Sequence, residues 1–201
     1  MNDIIVRDNA VPAQLVNSAT SNLDRLYWVM SRDILPQQKN NSGINFDNNT
    51  FTSIMMVHRI YNYMIEDARP NAGFQPCIRI LEEAIKSCGF ELDKVFRLKF
   101  NLQFPHPQYS TDLYNVPHID DANEKHYSLI WYPEDTDGDT VLFNEMLEEN
   151  KEEKPKLTIA ERVAPKSNRC VMFNGWRYHA GCNPTKYNRR IVLNCNFTIK
   201  E

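Results

Sequence analysis

The stretch Asn115-Val-Pro-His-Ile-Asp120 sets a histidine and an aspartate two residues apart. In extended backbone, successive side chains leave opposite sides of the chain, so His118 and Asp120 project together and Ile119 points away. Such a pair can share one metal ion. A third donor must come from elsewhere, and His179, in Gly175-Trp-Arg-Tyr-His-Ala-Gly181, stands at the end of another strand candidate. Two imidazoles and a carboxylate on one face of an ion leave its other positions open to exchangeable ligands, as in non-haem iron(II) sites. Zinc accepts similar donors, so the triad alone does not name the metal.

A cation narrows the chemistry. Arg189-Arg-Ile-Val-Leu-Asn-Cys-Asn-Phe197 reads as a strand whose alternation puts Arg190, Val192, Asn194 and Asn196 on one face. Ile191, Leu193, Cys195 and Phe197 form the other, apolar face. A guanidinium on the polar inner face offers a bidentate partner for a carboxylate, as needed to hold the far end of a dicarboxylate. Arg189, of opposite parity, points towards the helices or solvent.

These residues need a scaffold of strands. Alternation and turn residues predict strands over Asp3 to Arg7, Leu26 to Met30, Lys94 to Gln103, Tyr127 to Tyr132, Thr140 to Phe143, Leu157 to Arg162, Arg169 to Phe173 and Arg190 to Ile199. Between Thr50 and Ala68, apolar residues at Ile54, Val57, Ile60, Tyr61 and Met64 have helical spacing and predict a helix that Arg69-Pro70 ends. A second helix is expected from Pro76 to Ser87, stopped by Gly89. Short strands with turns between them, preceded by helices, predict a mostly β fold with flanking helices. The expected form is a double-stranded β-helix, or jelly roll, with the N-terminal helices packed on the major sheet. We expect one domain over 1–201, with N-terminal strands and supporting helices over 1–93 and the jelly-roll catalytic core over 94–201.

His118-Ile-Asp120, His179 and Arg190, in this order and spacing, resemble the prolyl 4-hydroxylase-like branch of the 2-oxoglutarate/Fe(II)-dependent oxygenase superfamily. The likeness spans Lys94 to Phe197 and includes Ser128-Leu-Ile-Trp-Tyr-Pro-Glu134, Asp137-Gly-Asp-Thr-Val-Leu-Phe143, Val163-Ala-Pro-Lys166 and Cys170-Val-Met-Phe-Asn-Gly175. Short bacterial and phage members look most similar. The resemblance implies Fe(II) held by His118, Asp120 and His179, with 2-oxoglutarate as cosubstrate and O2 as oxidant. It implies that Arg190 and Tyr132 grip the 5-carboxylate of 2-oxoglutarate and that Thr140 lines the same pocket. It further implies a hydroxylase that couples decarboxylation of 2-oxoglutarate to succinate with hydroxylation of a prolyl or other peptidyl residue. Two alternatives stand beside it: a hydroxylase of a free amino acid or small metabolite, and an inert metal-binding jelly roll. Asp120 favours hydroxylation over halogenation, because halogenating relatives replace the carboxylate with a small residue.

Other features are assigned to structure. His58, read as helical, and His106 and His126, beside loops, lack a second donor at useful spacing and are expected at the surface or in packing. Trp131 is expected in the core, while Trp176 and Arg177 are candidates for the substrate side. The acidic stretch Glu145 to Lys154 reads as a solvated loop. Five cysteines, an odd number without a C-x-x-C pair or a preceding secretory segment, predict reduced, inert thiols and a cytoplasmic protein. A formal charge of −3 supplies no basic footprint for a nucleic-acid partner. The apolar runs are too short for a membrane span. The expected partner is a peptide or small-molecule substrate.

Overall fold

The computed structural model describes residues 4–31, 50–51, 55–62, 74–122, 124–148 and 155–200. Its strands are β1 (Ile5–Arg7), β2 (Val29–Ser31), β3 (Thr50–Phe51), β4 (Met55–Asn62), β5 (Leu92–Gln103), β6 (Tyr114–Asn115), β7 (Tyr127–Tyr132), β8 (Thr140–Met146), β9 (Ile159–Val163), β10 (Arg169–Asn174), β11 (Arg177–Gly181) and β12 (Arg190–Ile199). Two helices, α1 (Ala13–Thr20) and α2 (Phe74–Ser87), accompany them. The major sheet is antiparallel, in the order β1-β10-β7-β12-β5-β4-β2, and the minor sheet has the order β11-β8-β9. A short parallel pair, β3 with β6, forms a third sheet.

Alternation in β12 divides the interior. Ile191, Leu193, Cys195 and Phe197 join Leu98, Phe100, Leu129 and Trp131 on one side of the major sheet, where they meet the helices. α2 fits that side because Cys77, Ile80, Leu81, Ala84 and Ile85 recur at helical spacing and are all buried. It ends in a Schellman motif: Gly89, at φ +90°, donates to the Lys86 carbonyl and Phe90 donates to that of Ile85. On the other side of the sheet, Ile130, Tyr132, Val171, Phe173 and Val192 pack with Leu142 and Val163 of the minor sheet. The two sheets therefore face one another, and the expected jelly roll with helices on its major sheet is the architecture found.

The helix predicted over Thr50 to Ala68 is not there. Residues 55–62 form β4, paired with β5 on one edge and β2 on the other, and His58 lies on this strand; 63–68 fall outside the described residues. The cause is a β-bulge between Arg59 and Tyr61. A bulge inserts one residue and lets two neighbours face the same way. Met56, Ile60 and Tyr61 all reach the helix-side core, with the spacing of a helical stripe. A helix was overlooked instead: α1 follows Pro12 and lays Leu15, Val16 and Ala19 against the same core. β1 and β2 lie within or beside the predicted N-terminal strands. Among the described residues, no helix is long and apolar enough to cross a membrane.

Leu81, fully buried between α2 and the sheet, is remote from the triad. Leu81→Ala is expected to destabilise by about 2–5 kcal/mol, read as a lower urea midpoint at unchanged slope. A shift in metal affinity of the folded variant would show that α2 is coupled to the site.

Candidate active site

His118 and His179 are joined through their backbones before any metal is considered. Each amide donates to the other's carbonyl, both at 2.9 Å, the reciprocal pairing of a hydrogen-bonded antiparallel pair. This bridge fastens the segment before β7 to β11 of the minor sheet. The ring centroids lie 4.5 Å apart. The Phe173 edge, with its centroid 5.0 Å from that of His179, limits the second ring.

Both imidazoles are oriented the same way. Nδ1 of His118 lies 3.0 Å from the Val116 carbonyl and Nδ1 of His179 lies 3.1 Å from that of Arg177. A carbonyl only accepts, so each Nδ1 carries the proton and each Nε2 presents its lone pair. Each Nε2 stands 3.8 Å from an Asp120 oxygen, His118 from Oδ1 and His179 from Oδ2. The three donor atoms lie within 4.8 Å of one another. Nε2 of His179 is buried and has no hydrogen-bond partner. An orphaned buried nitrogen beside a second imidazole and a carboxylate fits a divalent cation, and the donor set suits non-haem iron(II).

Asp120 is the most heavily supported side chain of the three. Arg97 of β5 forms a close ion pair with its Oδ1. Asn196 donates to Oδ2 at 2.9 Å, Asn194 at 3.3 Å and Ser128 at 3.4 Å. Burial works to raise the Asp120 pKa, but the Arg97 charge and the neighbouring His179, Lys99 and His118 hold it well below the usual carboxylate range. Burial, then the adjacent His179, push His118 from 6.5 down to about 3. Burial also lowers His179. All three are deprotonated at neutral pH, as metal binding requires.

Arg190 lies on the same inner face, at the other end of β12. Its guanidinium is buried and donates to the Gly138 carbonyl at 2.6 Å, Gln103 Oε1 at 2.7 Å and Thr140 Oγ1 at 2.8 Å. Thr140 also accepts from the Tyr132 hydroxyl at 2.6 Å. With both acceptor positions of Thr140 used, its own proton is free to donate. Gly138 has φ +94°, and a Cβ there would stand 2.7 Å from the Cys182 carbonyl, so glycine is required where the backbone turns to receive Arg190. Arg190 makes no ion pair with a carboxylate among the described residues. Arg189, by contrast, is paired with Glu134 and Asp24 on the outside.

All six residues singled out in the sequence thus lie on the inner side of the sheets, in two groups. Arg97 and Gln103 were overlooked as partners. Their signal is the alternation of β5, which turns Arg97, Lys99, Asn101 and Gln103 to one face. Trp131 is buried in the helix-side core. Trp176 donates to the Glu124 carbonyl and lies under Lys125, and Arg177 donates to the Phe143 carbonyl at 2.5 Å. Glu145 belongs to β8 rather than to a loop and accepts from Thr158, while 149–154 fall outside the described residues.

Residues 107–198 match the family model of the 2OG-Fe(II) oxygenase superfamily. That region contains the triad, Tyr132, Thr140 and Arg190. No curated protein matches the chain. Among solved structures, an oxidoreductase of the 2OG-Fe(II) oxygenase family from Burkholderia pseudomallei is 13% identical, with TM-score 0.63 over 97% of this chain and 84% of its own. A prolyl-4-hydroxylase from Pseudomonas putida is 14% identical, with TM-score 0.53 over 98% and 94%. The epimerase SnoN of nogalamycin biosynthesis, solved with Fe3+ and α-ketoglutarate, is 10% identical, with TM-score 0.62 over 98% and 79%. These likenesses establish the fold. The family match covers the stretch that carries the His118, Asp120 and His179 donors.

The depressed histidines give a signed pH dependence. Below pH 6.5 the unfolded chain takes up the His118 proton and the folded protein resists it down to about 3, so acidification favours unfolding across that window. The urea midpoint of metal-free protein is expected to fall on acidification below pH 6.5, and His118→Gln to flatten that fall. Saturating Mn(II) at neutral pH is expected to raise the melting temperature, by mass action on the folded state. His179→Ala should abolish that rise.

Proposed function

We propose that the protein is an Fe(II)- and 2-oxoglutarate-dependent hydroxylase in which His118, Asp120 and His179 hold the metal and Arg190, Thr140 and Tyr132 hold the cosubstrate. The observation that carries this reading is the buried Arg190 guanidinium, which has no carboxylate partner among the described residues and faces the same interior as the triad. A buried cation without a counter-ion is costly. The 5-carboxylate of 2-oxoglutarate would supply the missing charge. Arg190 retains donors beyond its three bonds, and Thr140 has a free hydroxyl proton to add. Tyr132, pushed up to about 12 chiefly by burial, stays protonated and keeps donating to Thr140.

Iron(II) with 2-oxoglutarate, held by these residues, would supply the oxidative chemistry, with O2 as oxidant and succinate and CO2 as co-products. The chain's own part is positional. Arg97, Asn194, Asn196 and Ser128 fix the Asp120 carboxylate, and the backbone bridge fixes the histidines. Phe173 and Val192, both buried, line the interior between the sheets with apolar surface.

For the substrate, we propose a peptidyl residue, prolyl first. The support is the order and spacing of the motifs, which follow the prolyl 4-hydroxylase-like pattern. A small-molecule acid is the second reading, favoured by Arg97 and Lys99, which β5 turns towards the metal donors.

Anaerobic titration of the iron(II)-loaded protein with 2-oxoglutarate is expected to develop the visible charge-transfer band of the chelate. Arg190→Ala should raise the 2-oxoglutarate concentration needed by roughly ten- to a hundredfold, as loss of a charge-assisted pair implies. The band should vanish in His179→Ala. A wild-type cosubstrate requirement in Arg190→Ala would remove Arg190 from the site, and absence of the band in iron-loaded wild type would sink the reading as a whole.

A further inference from the structure

Between Gln103, which accepts from Arg190, and Arg97, which pairs with Asp120, the inner face of β5 carries Lys99. Its ammonium makes no hydrogen bond or ion pair among the described residues. The sheet register locates it: Gln103 lies opposite Arg190, Asn101 opposite Val192 and Lys99 opposite Asn194. Asn194 donates to Asp120. Lys99 is therefore level with the metal donors, away from the Arg190 end of the inner face. On its other side, across β4, Lys99 is paired directly with Arg59. The Cβ atoms of such opposed residues lie about 4.5–5.5 Å apart, and like charges there repel.

The described charges acting on Lys99 are Arg97, Asp120 and Arg59. Asp120, the one anion among them, is a metal donor already paired with Arg97. When metal and cosubstrate are bound, the two charges of iron(II) and that of Arg190 balance Asp120 and the two carboxylates of 2-oxoglutarate. Counted against the described anions, Arg97 and Lys99 are then two positive charges in excess. Beside them, Oδ1 of Asn101 and Nε of Arg97 are buried without hydrogen-bond partners. The inner face on the β4 side of the metal donors is thus cationic and incompletely satisfied.

We propose that Lys99, backed by Arg97, forms an oxyanion subsite that takes a carboxylate or phosphate group of the substrate and sets its position beside the metal. The inference rests on the reading of the triad as an iron and 2-oxoglutarate centre. It adds the substrate's charge to that reading. Burial first, and the Arg97 charge second, push Lys99 down to about 7, and an oxyanion bound alongside would reverse that shift.

The test uses full-length protein loaded anaerobically with iron(II) and 2-oxoglutarate, so that the chelate band reports an intact centre throughout. Inorganic phosphate and, separately, acetate are titrated into wild type, Lys99→Gln and Lys99→Arg, and binding is followed by calorimetry. Saturable phosphate binding that leaves the chelate band in place is expected in wild type, weakened about tenfold or more in Lys99→Gln and largely kept in Lys99→Arg. Acetate binding as tight as phosphate would point to a carboxylate substrate; a clear preference for phosphate would point to a phosphorylated one. Three results would overturn the subsite. They are no binding of either anion to protein that shows the band, equal phosphate affinity in wild type and Lys99→Gln, or a weakened 2-oxoglutarate requirement in Lys99→Gln, which would make Lys99 a cosubstrate residue. Failure of the band itself would instead strike at the iron and 2-oxoglutarate reading.

Discussion

The Asp120 carboxylate is a buried charge, and much of the inner face is arranged around it. Removing an ion from water costs several kcal/mol unless it is paired and hydrogen-bonded. Here the compensation comes from three neighbouring strands: Arg97 on β5, Asn194 and Asn196 on β12, and Ser128 on β7. None of these groups can serve unless the strands are in register and their polar residues share one parity. The same parity puts Ile191, Leu193, Cys195 and Phe197 against the helices. Satisfying Asp120 and burying the helix-side core are consequently one requirement on the sheet, met from its two faces.

That double requirement explains what the sequence made legible. β12 alternates without interruption, so its division into a polar and an apolar face could be read directly, and with it the placement of Arg190 against Arg189. The two-residue spacing of His118 and Asp120 was equally plain. β4 was misread because its bulge sets Met56, Ile60 and Tyr61 against the core at intervals that a helix also produces. Periodicity reports which residues share an environment, and a bulge changes the rule that links environment to backbone. The partners of Asp120 and Arg190 were hidden for another reason. Arg97 and Gln103 meet them only through pairing of β5 with β12, and that pairing joins residues far apart in the chain.

Charge shows the same gap between average and place. The formal charge of −3 describes the whole surface, while the inner face of β5 sets Arg97 and Lys99 near a single described carboxylate, Asp120. Focused charge in an interior of low dielectric acts on a ligand far more strongly than exposed charge does. Composition therefore excludes a broad basic footprint but is silent on a cationic pocket.

Arg190 illustrates how a neutral partner keeps a site available. Gln103 accepts from the guanidinium through Oε1, and its Nε2 donates at 3.4 Å to Asn183 Oδ1, which also accepts from Asn115 at 2.9 Å. The Asn183 amide in turn donates to the Phe104 carbonyl. This chain of amides fixes which end of Gln103 faces Arg190 and holds the guanidinium in place without cancelling its charge. A glutamate at 103 would orient Arg190 as well and would neutralise it, so that an incoming carboxylate would have to displace an internal ion pair. With glutamine there, the guanidinium is positioned by hydrogen bonds and its charge is not neutralised.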